Sequence, residues 1–144
     1  MPKFNLTLNP TLRNTALLIS TVLIFGQTDA QNMAKSRSGS FQSLHAPTKG
    51  TVKLAQNAAG RWTLTVSNLK TEAAPDLKIW LMTQKVVKDT PEIKKNNPID
   101  LGIIATTLKS KTFILPANIK AEQIQNVVLW CDQFSVVFAT AALK

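Results

Sequence analysis

The stretch Arg61–Leu69, RWTLTVSNL, alternates polar and apolar from Arg61 to Ser67. Trp62, Leu64 and Val66 point one way, and Arg61, Thr63, Thr65 and Ser67 the other. A period of two is the mark of a strand with one buried and one wetted face. The same period recurs along the chain. GTVKLAQ (50–56) alternates before it, and NAAG (57–60) between the two suits a four-residue hairpin loop. LKIWLMT (77–83) sets Leu77, Ile79 and Leu81 on one face and Lys78, Trp80 and Met82 on the other, so this strand is covered on both sides. KDTPEIKKNNP (88–98), with two prolines, two asparagines and mixed charge, reads as a surface loop. IDLGIIATTL (99–108) and KTFIL (111–115) read as strands around a turn at Lys109–Lys111. PANIKAEQIQN (116–126) holds room for one helical turn with Asn118 as its cap. VVLWC (127–131) and SVVFATAAL (135–143) close the chain across DQF. No long 3.6-residue pattern competes. The expected fold is all-β: a single antiparallel β-sandwich or barrel-like domain of about seven to eight short strands.

The N-terminus carries a different signal. Lys3 and Arg13 form a positive region, Thr15–Phe25 an apolar run, and Thr28 and Ala30 the small-x-small pattern of a signal-peptidase site. The run is too short to span a membrane, and no later segment reaches the ~20 apolar residues a span needs. The expected organisation is a secretory signal at 1–30, a flexible polar leader at 31–38 (QNMAKSRS), and one domain over 39–144. The protein is then extracytoplasmic, periplasmic or secreted, after cleavage near Ala30. The formal net charge is +9, from lysines spread along the chain, with only Arg37 and Arg61 as arginines after the expected signal. Without clustered Arg and stacking aromatics, this is a solubilising surface and not a nucleic-acid interface.

The chain has one cysteine, Cys131, and one histidine, His45. An internal disulfide is impossible, so the thiol pairs between chains, reacts, binds something, or is buried as a small hydrophobe. Metal chemistry is poorly supplied: zinc draws three or four Cys, His or carboxylate ligands, and blue copper two histidines and a cysteine. No metal site is expected. The sequence has no phosphate loop, no dinucleotide glycine fingerprint, no His-Glu-x-x-His and no Cys-x-x-Cys, and its carboxylates show no catalytic spacing. A carrier or binding domain fits better than a turnover enzyme. On VVLWC, Val127, Leu129 and Cys131 share one face, with Val128 and Trp130 on the other. Apolar residues on both faces mark a central strand.

VVLWCDQFSVVFATAAL (127–143) resembles the closing signature of the DM-thirteen domain, an electron-transfer domain family often found beside DOMON domains. The matching residues are Trp130, Cys131, Phe134, Val136, Phe138, Ala141 and Leu143. Upstream, GSFQSLHAPTKGTVKL (39–54), APDLKIWL (74–81) and LGIIATTLKSKTFILP (101–116) resemble the family's opening, its Pro-Asp-Leu strand and its Leu-Gly strand with the hairpin ending in Leu-Pro. Ala139 stands where many members carry glycine. The resemblance implies an all-β domain in an extracytoplasmic redox setting, with an unidentified redox partner protein at the cell surface or in the periplasm. It implies that Cys131 acts as a naked thiol or as ligand to a prosthetic group such as haem, for which His45 or Met82 would complete an axial pair and Trp130 would stack on the flat cofactor. The other reading is a non-catalytic β-sandwich binding module with Cys131 buried for packing. Trp62, Trp80 and Trp130 all fall at alternating strand positions, which places them in the core unless a flat cofactor claims them.

Overall fold

Alternation becomes two sheets packed face to face. The computed structural model describes residues 35–86, 88 and 91–144, and the expected secretory signal and the start of the expected leader lie outside them. Nine strands are present among the described residues: β1 (Arg37–Ser40), β2 (Gln42–Ser43), β3 (Lys49–Gln56), β4 (Trp62–Lys70), β5 (Leu77–Met82), β6 (Ile99–Ile103), β7 (Thr107–Ile114), β8 (Asn126–Cys131) and β9 (Val136–Ala142). They form a four-stranded sheet, β1-β3-β4-β7, and a five-stranded sheet, β2-β9-β8-β5-β6. Every pairing is antiparallel. The expected sandwich is what the chain forms, with the two-residue β2 as a small addition.

The inner faces meet in one apolar core. Val52, Leu54, Leu64, Val66 and Leu69 come from the four-stranded sheet, and Leu77, Ile79, Leu81, Val127, Leu129, Ala139 and Ala141 from the other. Each fully buried aliphatic side chain contributes about 1.5–3 kcal/mol relative to exposure, so this layer fixes the register of every strand that feeds it. The NAAG loop forms the expected tight connection, where Asn57 Oδ1 accepts the backbone N–H groups of Ala59 and Arg61, both at 3.0 Å.

The sheets are stitched along one edge. Ser38 and Lys144 exchange both backbone hydrogen bonds at 3.0 Å, joining β1 to the chain end beyond β9. The Arg37 guanidinium donates to the carbonyls of Ile124 and Ala121. The first strand thus begins at Arg37, inside the stretch expected as leader, and these bonds hold residues 37 and 38 in place. The close approach explains Gly39, where an added Cβ would collide with the Ala142 carbonyl oxygen. At Gly50 the backbone takes φ +138 in a β3–β4 register shift, a conformation side-chain-bearing residues rarely adopt.

Three local expectations are corrected. Lys109–Lys111 is not a turn but the middle of β7; β6 and β7 belong to different sheets, so the change of direction falls between them, at 104–106, where Ile104 is buried and bonds Leu77. Lys111 sits opposite Val66 on the inward side of edge strand β7 and donates to the Ile103 carbonyl at 3.1 Å, an inward-pointing charge that discourages strand addition. The single helical turn is 3-10, over Ala121–Gln123, and is flanked by Lys120 and not by Asn118. The 88–98 stretch is more than a surface loop: it carries a 3-10 turn, Pro91–Asn96, and buries Ile93 on the outer face of the five-stranded sheet.

Gly39→Ala is expected to destabilise the domain by about 2 kcal/mol or more, since backbone must move to admit the methyl group. Urea unfolding measures this, and unchanged stability would refute the close approach of β1 and β9.

Candidate functional site

Strands β5 and β8 pair at the centre of the five-stranded sheet, Leu77 opposite Cys131, Ile79 opposite Leu129 and Trp80 opposite Val128. All six residues of β8 are buried. Cys131 ends this strand and faces inward, 0 % exposed, a free thiol within the sandwich core. The central-strand expectation for VVLWC is met. The neighbouring pairing with β9 carries a bulge between Leu129 and Trp130, so Leu129 opposes Ala139 while Trp130 opposes Val137. Phe138 is the extra residue; its side chain joins the inner core, and its carbonyl accepts the N–H groups of Leu44 and Ala46. Bulges of this kind re-aim side chains next to functional positions. Ala139, where a glycine would leave a gap, is fully buried against this core.

The outer face of the same strands has its own apolar cluster: Trp80, Met82, Val86, Ile93, Val128, Trp130 and Val137, with Leu44 packed at its side. Within it the indoles of Trp80 and Trp130 stack, centroids 4.6 Å apart and planes 13° apart. Offset stacking contributes about 0.5–1.5 kcal/mol beyond burial. Trp130 Nε1 donates to Asp132 Oδ1 at 3.1 Å. Lys78 Nζ reaches Asp132 Oδ2 at 3.3 Å and Asp100 Oδ2 at 3.7 Å, and Lys94 Nζ lies 4.0 Å from Asp132 and 5.1 Å over the Trp130 ring. Two buried side-chain atoms here have no hydrogen-bond partner, Trp80 Nε1 and Asn126 Oδ1; the Asn126 amide nitrogen serves Val86 and Thr140.

These contacts set the charges at the turn. The Trp130 N–H, and then Lys78, hold the Asp132 carboxyl below its ordinary 3.8. Asp132, and to a smaller degree Asp100, raises Lys78 above its ordinary 10.5. The stabilisation from Asp132 is therefore present above the ordinary carboxylate value and is lost as pH falls through the depressed one. That from Lys78 is present below 10.5 and is lost as pH rises through the raised value.

Of the sequence-derived candidates, the fold brings together Cys131 and Trp130 only as chain neighbours on opposite faces of one strand. Met82 is buried on the outer face, away from the thiol. His45 lies on the exposed segment after β2, its backbone N–H on the Val137 carbonyl at 3.2 Å. Trp130 stacks on another indole, which occupies the ring face a planar cofactor would use. Phe134 sits on the β8–β9 turn, 61 % exposed, and does not cover the thiol. Axial haem ligation would need Cys131 and either Met82 or His45 to converge on one flat cavity, and these residues do not fit it. No group of three or more His, Cys, Asp or Glu that could hold a metal occurs among the described residues. A cleft of about 260 Å³ opens beside Leu44, Lys85, Val86, Asn126 and Thr140, and a larger one of about 400 Å³ beside Thr48, Lys49, Lys70 and Thr71; Cys131 lines neither. Sequence reasoning missed the Trp80–Trp130 stack and the Lys78–Asp132 pair. Both depend on cross-strand register, whose only trace was the shared outward parity of Lys78, Trp80, Val128 and Trp130.

Against this geometry, the chain matches the Electron transfer DM13 family over residues 40–143. It belongs to that family. The match covers eight of the nine described strands whole and the end of β1, so the sandwich and its Trp-Cys strand together are the DM13 domain. The family gives the domain a general role in electron transfer, with a redox partner still unidentified. No curated protein and no solved structure matches the chain. No helix among the described residues is long and apolar enough to cross a membrane.

In an NMR titration the Asp132 carboxyl should show its midpoint below 3.8. Trp130→Phe should move that midpoint upward, and a midpoint unchanged by the substitution would contradict the role given to the indole N–H.

Proposed function

We propose that this chain is an exported electron-transfer module whose redox centre is Cys131, used as a naked thiol and not as a haem ligand. The observation that carries the reading is the place of Cys131 in a DM13 domain: it ends the central strand, beside a bulge, with the solvent-exposed turn starting at the next residue. The family supplies the redox role, and the burial selects among the forms it could take. Thiol–disulfide exchange requires a second sulfur to approach in line, and access governs its rate. A thiol with no exposed surface is closed to that chemistry but open to one-electron transfer across a short stretch of protein. In that step Cys131 loses one electron to a one-electron acceptor on the partner protein, and the S–H proton leaves to solvent at the adjoining turn. The return step restores both. Export rests on the N-terminal three-part signal, and the dispersed lysines suit a soluble partner with an acidic face.

A second reading is favoured by one observation, the zero exposure of Cys131 among aliphatic neighbours, which is how a purely structural cysteine packs. It makes the domain a binding module in which the thiol has no redox part. Protein-film voltammetry on the purified protein separates the two. A redox wave that disappears in Cys131→Ala, while circular dichroism keeps the β signature, is expected. An identical voltammogram for both proteins would leave the thiol with packing alone, where the substitution costs about 1 kcal/mol.

A further inference from the structure

The geometry points to the stacked Trp80–Trp130 pair as the electron relay between Cys131 and the surface of the domain. This rests on the reading of Cys131 as the redox centre and adds the route by which its electron leaves. Three observations meet here. The indoles lie 4.6 Å apart and 13° from parallel, close enough to share a positive charge over two rings. One of them belongs to the residue next to Cys131, so thiol and indole are joined by one peptide unit, with Cα atoms about 3.8 Å apart. The chain has no tyrosine, which leaves tryptophan as its most readily oxidised aromatic side chain, and the third, Trp62, lies on the other sheet.

The charges around the pair suit a transient positive ring. Trp130 Nε1 donates to Asp132 Oδ1 at 3.1 Å, which favours positive charge on that indole. The Lys94 ammonium, 5.1 Å from the ring centroid, opposes it, and is itself 4.0 Å from Asp132. The carboxylate alone is hydrogen-bonded directly to the indole N–H, a charge-assisted contact that strengthens as the ring becomes positive. Lys78, opposite Trp130 across β5 and β8, pairs with Asp132 and Asp100, and Trp80 Nε1 has no partner, so the two rings differ and the hydrogen-bonded Trp130 is the one held for positive charge. Packing accounts for the burial of both rings, and only Trp130 has a carboxylate on its N–H.

A high-potential one-electron oxidant, such as a ferryl haem or a photogenerated ruthenium(III) complex, takes one electron from the pair and leaves a radical cation shared by the two indoles. Cys131 then supplies one electron to the pair and releases its S–H proton to solvent, ending as a thiyl radical while both indoles return to their starting state. The net change is one electron from sulfur to the oxidant and one proton to water.

The test is flash photo-oxidation of the full-length protein by ruthenium tris-bipyridine with a sacrificial acceptor, followed by transient visible absorption of the indolyl radical. In the native protein a short-lived indole radical should form and decay as Cys131 is oxidised. In Cys131→Ala the radical should still form and should last at least about tenfold longer. Trp130→Phe and Trp80→Phe should each slow oxidation of Cys131 by about tenfold or more, and Trp62→Phe should not. Asp132→Asn should slow formation of the indole radical and Lys94→Gln should speed it, opposite signs that a structural role would not produce. Oxidation of Cys131 at the native rate in both folded Trp80→Phe and Trp130→Phe would overturn the relay while leaving Cys131 as redox centre. An indole radical whose lifetime is the same with and without Cys131 would overturn the coupling and, with it, the reading of the thiol. If Trp130→Phe fails to fold, Trp80→Phe and the two charge variants still decide the matter.

Discussion

The central strands β5 and β8 are apolar on both faces, and the rest of the molecule follows from that. A strand of this kind is stable only when both sides are covered. The four-stranded sheet covers the inner side through Val52, Leu54, Leu64 and Val66. The outer side is covered by Val86 and Ile93 from the segment between β5 and β6, with Leu44 beside them. The result is a three-layer arrangement over one pair of strands, with the thiol of Cys131 in the inner layer and the two stacked indoles in the outer one. Side-chain alternation along β8 forces this division, since consecutive residues must face opposite ways.

Charge is arranged around the same strands. The β8–β9 turn begins at Asp132, which collects the Trp130 N–H, Lys78 and Lys94 at the point where the buried strand meets solvent. These exposed ion pairs add little to stability individually. Their consequence is positional: they fix a carboxylate against one indole edge and an ammonium over its face, next to Cys131, the proposed redox centre. The bulge at Phe138 completes the setting, placing Val137 opposite Trp130 and turning Phe138 inward.

Much of the fold was legible in the chain because period-two patterning is a local property. RWTLTVSNL, LKIWLMT and VVLWC each announced a strand and its buried faces, and the resemblance to the DM-thirteen domain tied them into one family. What stayed hidden depends on long-range register. The Lys109–Lys111 stretch looked like a turn because three polar residues interrupt apolar ones, yet edge strand β7 tolerates an inward lysine whose ammonium escapes to the Ile103 carbonyl. Ile93 looked like one apolar residue in a charged loop, and only the apolar outer face of β5 and β8 explains its burial. The candidate site divides the same way. The apolar faces of the Cys131 strand were legible, but the full burial of its thiol, the separation of Cys131, His45 and Met82, and the meeting of Trp80 with Trp130 required the pairing of β5 with β8.

A buried thiol beside a stacked indole pair makes one demand that outweighs the others: the unpaired electron of the oxidised domain must reside on sulfur. Freeze-quench electron paramagnetic resonance after one-electron oxidation, with cysteine deuterated at its β-carbon, reads this directly. A radical signal that narrows with the label and vanishes in Cys131→Ala is the expected result. A signal that ignores the cysteine label and survives that substitution would place the oxidising equivalent elsewhere and leave Cys131 as packing in the core of a DM13 sandwich.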